Sequence, residues 1–361
     1  MSSLDLVRLP CWLGAALAAL TWLGCESAPK QRVSATDAGS KPQEMDPNLA
    51  KAVGAAAPSS PTAERVQVDG GPPSNGIFAL GAADREVRKG APPKMVVGSL
   101  GSEPRVPLSP LPETGKKKEA TLQVSLKQDP RQPELPFRFK LSFEAKKAAA
   151  DAPNKGMQIS VRVDEVGVAL DQSPQARAAA QQLKQLKGSR VDYQLLPDGG
   201  GQEYRFQTPP GVPRQMGEVL RNLSDAISTF SLSHPDQVGT GAYWMITSRE
   251  PIWGLDLVSY RMVRVLSASP AEVSLSLGVR RYATSAAFDT PLLQADTRLT
   301  LDEFIANAEG EIKLSPSQFI PTSVRLTSQL AASLIPASNP KQRAMAQAQV
   351  RIELPAEPRP Q

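Results

Sequence analysis

Histidine occurs once and cysteine twice in this chain of 361 residues, and aromatic residues make up only 5%. A nucleophilic system of the Ser-His-Asp or Cys-His kind needs a positioned imidazole base, and a zinc centre usually needs several His or Cys ligands. The single His234, placed before Pro235 in what reads as a loop, supports neither. Lysine and arginine exceed aspartate and glutamate by 41 to 36, a formal surplus of +5. The basic clusters at 116–118 and 146–147 are short, lie beside expected strand ends and have no interleaved aromatics, which argues against nucleic-acid binding. No Asp-x-Asp-x-Asn-Gly calcium loop is present. The acidic residues Asp296, Asp302, Glu303, Glu309 and Glu311 fall where a strand, a turn at 308–310 and a second strand are expected, so they are read as solvated charge. The expectation is a non-catalytic protein with no cofactor and no metal.

The two cysteines, Cys11 and Cys25, frame the amino-terminal segment. One basic residue, Arg8, precedes a nearly uncharged run at 9–24, which falls short of the roughly 20 apolar residues that cross a bilayer core. A short apolar run ending in a small residue has the layout of a signal peptide. Leu23-Gly24-Cys25 then resembles the lipobox of bacterial lipoproteins, with Trp22 where Leu is usual. Cleavage before Cys25 would remove Cys11 with residues 1–24 and leave one thiol, consumed by lipid. An odd cysteine in an exported chain otherwise calls for explanation. Each buried methylene contributes roughly 0.8 kcal/mol, so two or three acyl chains hold firmly where one does not.

Prolines number 34, nearly twice the usual share of about 5%. Many lie in 26–74 among Ala, Ser, Lys and Asp, with few aliphatics, a composition unable to bury enough apolar surface to offset ordering. Residues 25–74 are therefore read as a lipidated Cys25 and a tether, and 356–361 as a loose tail. Between them, period-two alternation recurs: Leu122, Val124 and Leu126; Phe137, Phe139, Leu141 and Phe143; Ile159, Val161 and Val163; Val191, Tyr193 and Leu195; Val273, Leu275, Leu277 and Val279; and Ala346 to Leu354. Such alternation indicates antiparallel strands with one packed face. Two stretches change to helical period. One starts at Pro174 behind a Ser173 cap and stops at Gly188; the other places Met216, Val219, Leu220, Leu223, Ile227 and Phe230 at spacings of three and four. The fold expected is mainly β with some helix (α+β), a large curved antiparallel sheet or half-barrel with two amphipathic helices packed on one face.

The second helical stretch leads into HPDQVGTGAYW at 234–244, in which Pro235, Val238, Gly239, Gly241 and Trp244 stand out. Its order, helix before and strand after, is the reverse of a dinucleotide fingerprint. The segment resembles the P-x-x-P-V-G-x-G-A-x-W stretch of an uncharacterised family of bacterial, notably myxobacterial, lipoproteins and exported proteins, with Gln237 where Pro is usual. A second stretch is similar to the same family: GIF at 76–78, GAAD at 81–84, GAPPK at 90–94 and GSEPR at 101–105. The resemblance covers most of 75–355, implies that a single β-rich domain starts near 75 rather than 118, and brings no known activity with it. The fold also resembles, more loosely, half-barrel lipoprotein carriers of acyl chains, a comparison of architecture alone.

Taken together, these readings describe a lipid-anchored protein of the cell envelope. The outer membrane is favoured over the inner, with the domain in the periplasm or at the cell surface. It binds an apolar ligand or scaffolds; the alternative is an envelope interaction protein without a small ligand, and an enzyme comes third. Phe137, Phe139, Phe143, Val161 and Val163 are the residues expected to line the concave face, either around a cargo or in a filled core.

Overall fold

The computed structural model describes residues 72–108, 114–127, 134–147, 157–168, 174–195, 201–230, 232, 234–252, 255–288, 299–316, 318, 320–337 and 339–355. Cys25, Ser173 and Asp296 lie outside them. Helix α1 (Ala82–Glu86) precedes strands β1 (Lys94–Ser99) and β2 (Val106–Leu108). Then come β3 (Lys117–Lys127), β4 (Leu135–Lys147) and β5 (Met157–Val168). Helix α2 (Pro174–Leu183) leads to the hairpin of β6 (Arg190–Leu195) and β7 (Gly201–Gln207). Helix α3 (Arg214–Phe230) leads to β8 (His234–Val238), β9 (Tyr243–Ile252) and β10 (Leu255–Ala268). The chain finishes with β11 (Val273–Ala283), β12 (Ala287–Phe288), β13 (Leu299–Leu314), β14 (Ser323–Pro336) and β15 (Ala344–Leu354).

Among the described residues, thirteen strands form one antiparallel sheet in the order β1-β9-β10-β11-β13-β14-β15-β3-β4-β5-β6-β7, with β12 on β13. The sheet is not closed into a barrel; β1 and β7 are its two edges. Its alternation is plain in β11, where Val273, Leu275, Leu277 and Val279 are buried and the residues between them are half-buried. Burying a side chain such as Leu277 contributes about 1.5–3 kcal/mol. The inward row of β4 and β5, including Phe137, Phe139, Leu141, Phe143, Ile159, Val161 and Val163, belongs to the main core.

Helix α2 packs on β4 and β5, and helix α3 on β7 and β9. Ala176, Ala179 and Leu183 of α2 and Met216, Leu220, Leu223, Ala226 and Ile227 of α3 are buried in the same core. Proline at the first position of α2 costs no hydrogen bond, because the first amide of a helix has no intrahelical acceptor. Gly188 ends that segment with φ of 86° and donates to the Val163 carbonyl at 2.8 Å. On the exposed side of α3, the Arg221 guanidinium lies 5.4 Å from the centre of the Phe206 ring.

The turn expected at 308–310 is corrected: β13 runs through it without a break and pairs with β14 from Leu299 to Lys313. Gly310 serves close approach instead. A Cβ there would stand 2.0 Å from the Arg325 carbonyl oxygen, so glycine lets the two strands come close together. Glu303, Glu309 and Glu311 are exposed on the outer face, and Asp302 is held by Arg343 at 2.8 Å.

Residues 75–77 bond to the ends of β11 and β13, with Ile77 in the inner cluster of Leu257, Ala283 and Phe304, and 78–87 then cover the outer side of strands far from them in sequence. The Asn75 carbonyl accepts from Phe304 N at 2.9 Å, Gly76 O accepts from Ala283 N at 2.9 Å, and Phe78 N donates to Ala283 O at 2.8 Å. Phe78, Ala83 and Val87 then form a small cluster with Met245, Val258 and Tyr260. Arg249 secures it, donating to Asp84, to the Val87 carbonyl and, through Nη2 at 2.8 Å, to Asp256.

Candidate functional site

The two stretches singled out in sequence, 101–105 and 234–244, meet in space. Among the described residues, strand β8 pairs with β2 alone, Val106 opposite Val238 and Leu108 opposite His234. This corrects the loop expected around His234: a two-stranded ribbon tolerates Pro235, whose missing amide removes little from so short a ladder. The turn that follows is clasped by the other stretch. Gly239 N donates to Leu100 O at 2.9 Å, and Ser102 N donates to Thr240 O at 3.0 Å. A Cβ on Gly239 would lie 1.7 Å from Ser102 O, whereas Gly241 has open space around it but a φ of +84°. On the other side, Gly241 N donates to Val265 O and Val265 N to Ala242 O. Pro235 is exposed, Val238 is buried, and Trp244 is fully buried beneath the turn.

His234 and Trp244 stack edge to face with ring centres 4.9 Å apart. His234 Nδ1 lies 3.1 Å from the Asp236 amide and 3.2 Å from the Asp236 carbonyl oxygen, so the ring is tied to the backbone of its own turn. Among the described residues, neither His234 Nε2 nor Trp244 Nε1 has a hydrogen-bond partner, although both are buried. His234 is 1% exposed and committed to the turn, so it is not placed as a catalytic base.

A second polar feature starts at Ser248, four residues further along β9. The inner face of the sheet is not uniformly apolar. Arg261 lies opposite Ile246 on one side and Val279 on the other, and the line continues through Ala308, Ser328 and Val350 to Leu126. The neighbouring line runs Ser248, Ser259, Arg281, Ala306, Leu330 and Ala348. These two lines form a belt across the strands where the main core meets a second cluster of Leu255, Leu257, Ala283, Leu301, Phe304 and Leu334. On β9–β11 the belt is polar: Ser248, Ser259 and Arg281 are buried, and the Arg261 side chain is 12% exposed. On β13–β15 it is uncharged and, apart from Ser328, apolar. There Ser328, Leu330 and Val350, with Leu126 on β3, are only half-buried although they face inward. Helix α2 packs on β4 and β5 and helix α3 on β7 and β9, so the helices lie mainly away from the β13–β15 part of the belt.

Glu250, next to the belt on β9, accepts hydrogen bonds from Ser248 and from Arg261. Burial pushes its carboxyl up, but the guanidiniums of Arg261 and Arg281 and the two hydrogen bonds outweigh that and hold it below the usual carboxylate range. Ser259 Oγ is buried with no hydrogen-bond partner among the described residues. Sequence reasoning missed this set because its members are separated along β9, β10 and β11 and match no motif. The available signal was Glu250, Arg261 and Arg281 standing inside otherwise strand-like apolar runs. Chemically the belt offers hydrogen-bond donors at one end and an apolar wall at the other.

No family model matches the chain, and no curated protein sequence matches it. Among solved structures it is similar to that of DynF from the dynemicin biosynthesis pathway of Micromonospora chersina, at 9% identity and a TM-score of 0.18, covering 73% of this chain and 89% of that one. A similarity at that score bears on neither mechanism nor ligand.

Proposed function

We propose that the chain is an exported lipoprotein of the cell envelope, anchored through Cys25, whose β-rich domain at 75–355 binds an apolar or amphipathic small molecule and catalyses no reaction. The observation that carries the binding reading is the belt: inward-facing Ser328, Leu330, Val350 and Leu126 are incompletely covered, in register with a buried polar set. Filled cores are packed to crystal-like density, and side chains that face inward yet stay accessible mark a concave surface suited to a ligand. The anchoring reading rests on the short apolar run before Gly24-Cys25 and on the single cysteine left after cleavage there.

Two measurements test the reading separately. Cells expressing the wild-type chain and fed a clickable palmitate should label it and carry it into the detergent phase, and Cys25→Ser should abolish both; equal labelling of the variant would overturn the anchor. The full chain carrying Cys25→Ser, incubated with dodecanol and with dodecanoate, should show one-to-one adducts in native mass spectra. Recovery in the ligand-free form alone, over the whole concentration range, would count against the binding domain and favour an envelope protein that engages other proteins.

A further inference from the structure

Resting on the reading of the belt as a ligand site, we infer that it selects single-chain anions: a carboxylate or phosphate head held at Arg261 and Arg281, with the chain laid across β13, β14 and β15.

The charged side chains that face the belt from the described strands are Arg261, Arg281 and Glu250. Two of these three are guanidiniums, whose planar fork of donors matches the two oxygens of a carboxylate or phosphate. Arg261 and Arg281 sit on adjacent strands on the same face, two register positions out of line with each other. Arg281 is 5% exposed, so an anion reaching it leaves bulk water, and the attraction acts in a medium of low effective dielectric. Glu250 fixes Arg261 through its hydrogen bond and is itself held by Ser248, which pre-organises the guanidinium plane before any ligand arrives. Between them stands Ser259, directly opposite both Ser248 and Arg281, 0% exposed, its hydroxyl lacking a partner among the described residues. A hydroxyl so placed can donate to a head-group oxygen, and a buried polar group without a partner otherwise costs about 1–3 kcal/mol.

The other half of the belt suits a chain rather than a ring system or a second head. Ala306, Ala308 and Ala348 keep the wall low, while Leu330 and Val350 offer accessible apolar surface. From β11 to β3 the belt crosses four inter-strand steps, about 19 Å at the usual spacing. Among the described residues facing this half there is no charged side chain to receive a second polar end.

The test is a competition on the full chain with Cys25→Ser, offered equimolar dodecanoate, dodecyl phosphate, dodecanol and dodecylamine and read by native mass spectrometry. At least one of the two anions should be favoured over the alcohol tenfold or more, and which one wins identifies the head. The amine should bind no better than the alcohol. Arg281→Met should shrink the anion preference to less than threefold, and Arg281→Lys should restore part of it. Equal uptake of all four probes, or a preference that survives Arg281→Met intact, overturns the anion inference while leaving an apolar binding domain in place. Uptake of none of them overturns both. If Arg281→Met fails to fold, the wild-type selectivity and the lysine variant still decide.

Discussion

Gly239→Ala is expected to cost about 4 kcal/mol of stability and to lower the thermal midpoint by roughly 8 °C, whereas Gly241→Ala costs about 1–2 kcal/mol. The two glycines stand two residues apart in one turn and are needed for different reasons. At Gly239 a Cβ would meet the Ser102 carbonyl oxygen at 1.7 Å and its carbon at 2.9 Å, and both are backbone atoms that cannot swing aside. The 100–105 segment would have to withdraw, giving up the bonds from Gly239 N to Leu100 O and from Ser102 N to Thr240 O. Overpacking of this kind costs roughly 1–3 kcal/mol, and each lost hydrogen bond about 1 kcal/mol more. At Gly241 nothing lies within 4 Å of the added carbon, and only the positive φ of 84° penalises it. Denaturant titration of both variants in the Cys25→Ser chain measures the difference. Equal losses would mean that the two stretches are not clasped as described, and the turn would then be demanding only in its dihedral angles.

That clasp also shows which parts of the architecture were legible in the sequence. Strands β3, β4, β5, β6, β11 and β15 were visible as alternation because each has one packed and one wet face over most of its length. Strand β10 gave no such signal. Leu257 and Val263 face the inner clusters while Val258 and Tyr260 face the cover formed by Phe78, Ala83 and Val87, so apolar residues occupy both faces. The cover itself has too little apolar content to announce an element. It is held by backbone hydrogen bonds to Ala283 and Phe304, which carry no side-chain pattern. Gly310 misled in the opposite sense, since glycine beside Glu309 reads as a turn when only the sequence is in view, yet it serves strand-to-strand approach. The mainly β class and the inward faces of α2 and α3 followed from periodicity. The polar belt did not, because residues that become neighbours across β9, β10 and β11 are 11 to 22 residues apart and break the very alternation that reveals strands.

The belt's ion pair yields the second large effect: Arg261→Met alone should lose about 3–5 kcal/mol near neutral pH, and Arg261→Met with Glu250→Leu should recover only part of it, because buried Arg281 then loses the carboxylate that faces it. Removing one partner of a buried pair leaves the other charge poorly solvated, whereas replacing both by apolar groups removes the desolvation penalty together with the attraction. Glu250 and Arg261 have side chains 19% and 12% exposed, so the penalty is substantial. The pH dependence follows from the direction of the shift. Because the folded carboxyl of Glu250 lies below its unfolded value, its contribution is fully present above the unfolded pKa, about 4.3, and is lost as pH falls through the folded one. With Arg261 gone, the lowering falls to Arg281 and Ser248 alone, against the same burial. The stability gap between wild type and Arg261→Met should therefore be widest near neutral pH and narrow as pH falls below the ordinary carboxylate range and the carboxylate takes up its proton. Urea midpoints of the four chains in the cycle, taken near pH 7 and near pH 3, settle the matter. A gap independent of pH would mean that the loss comes from packing of the arginine stem. Additive losses in the double variant would mean that Glu250 and Arg261 do not act as a pair, and that Arg261 is not oriented for a ligand by its neighbour.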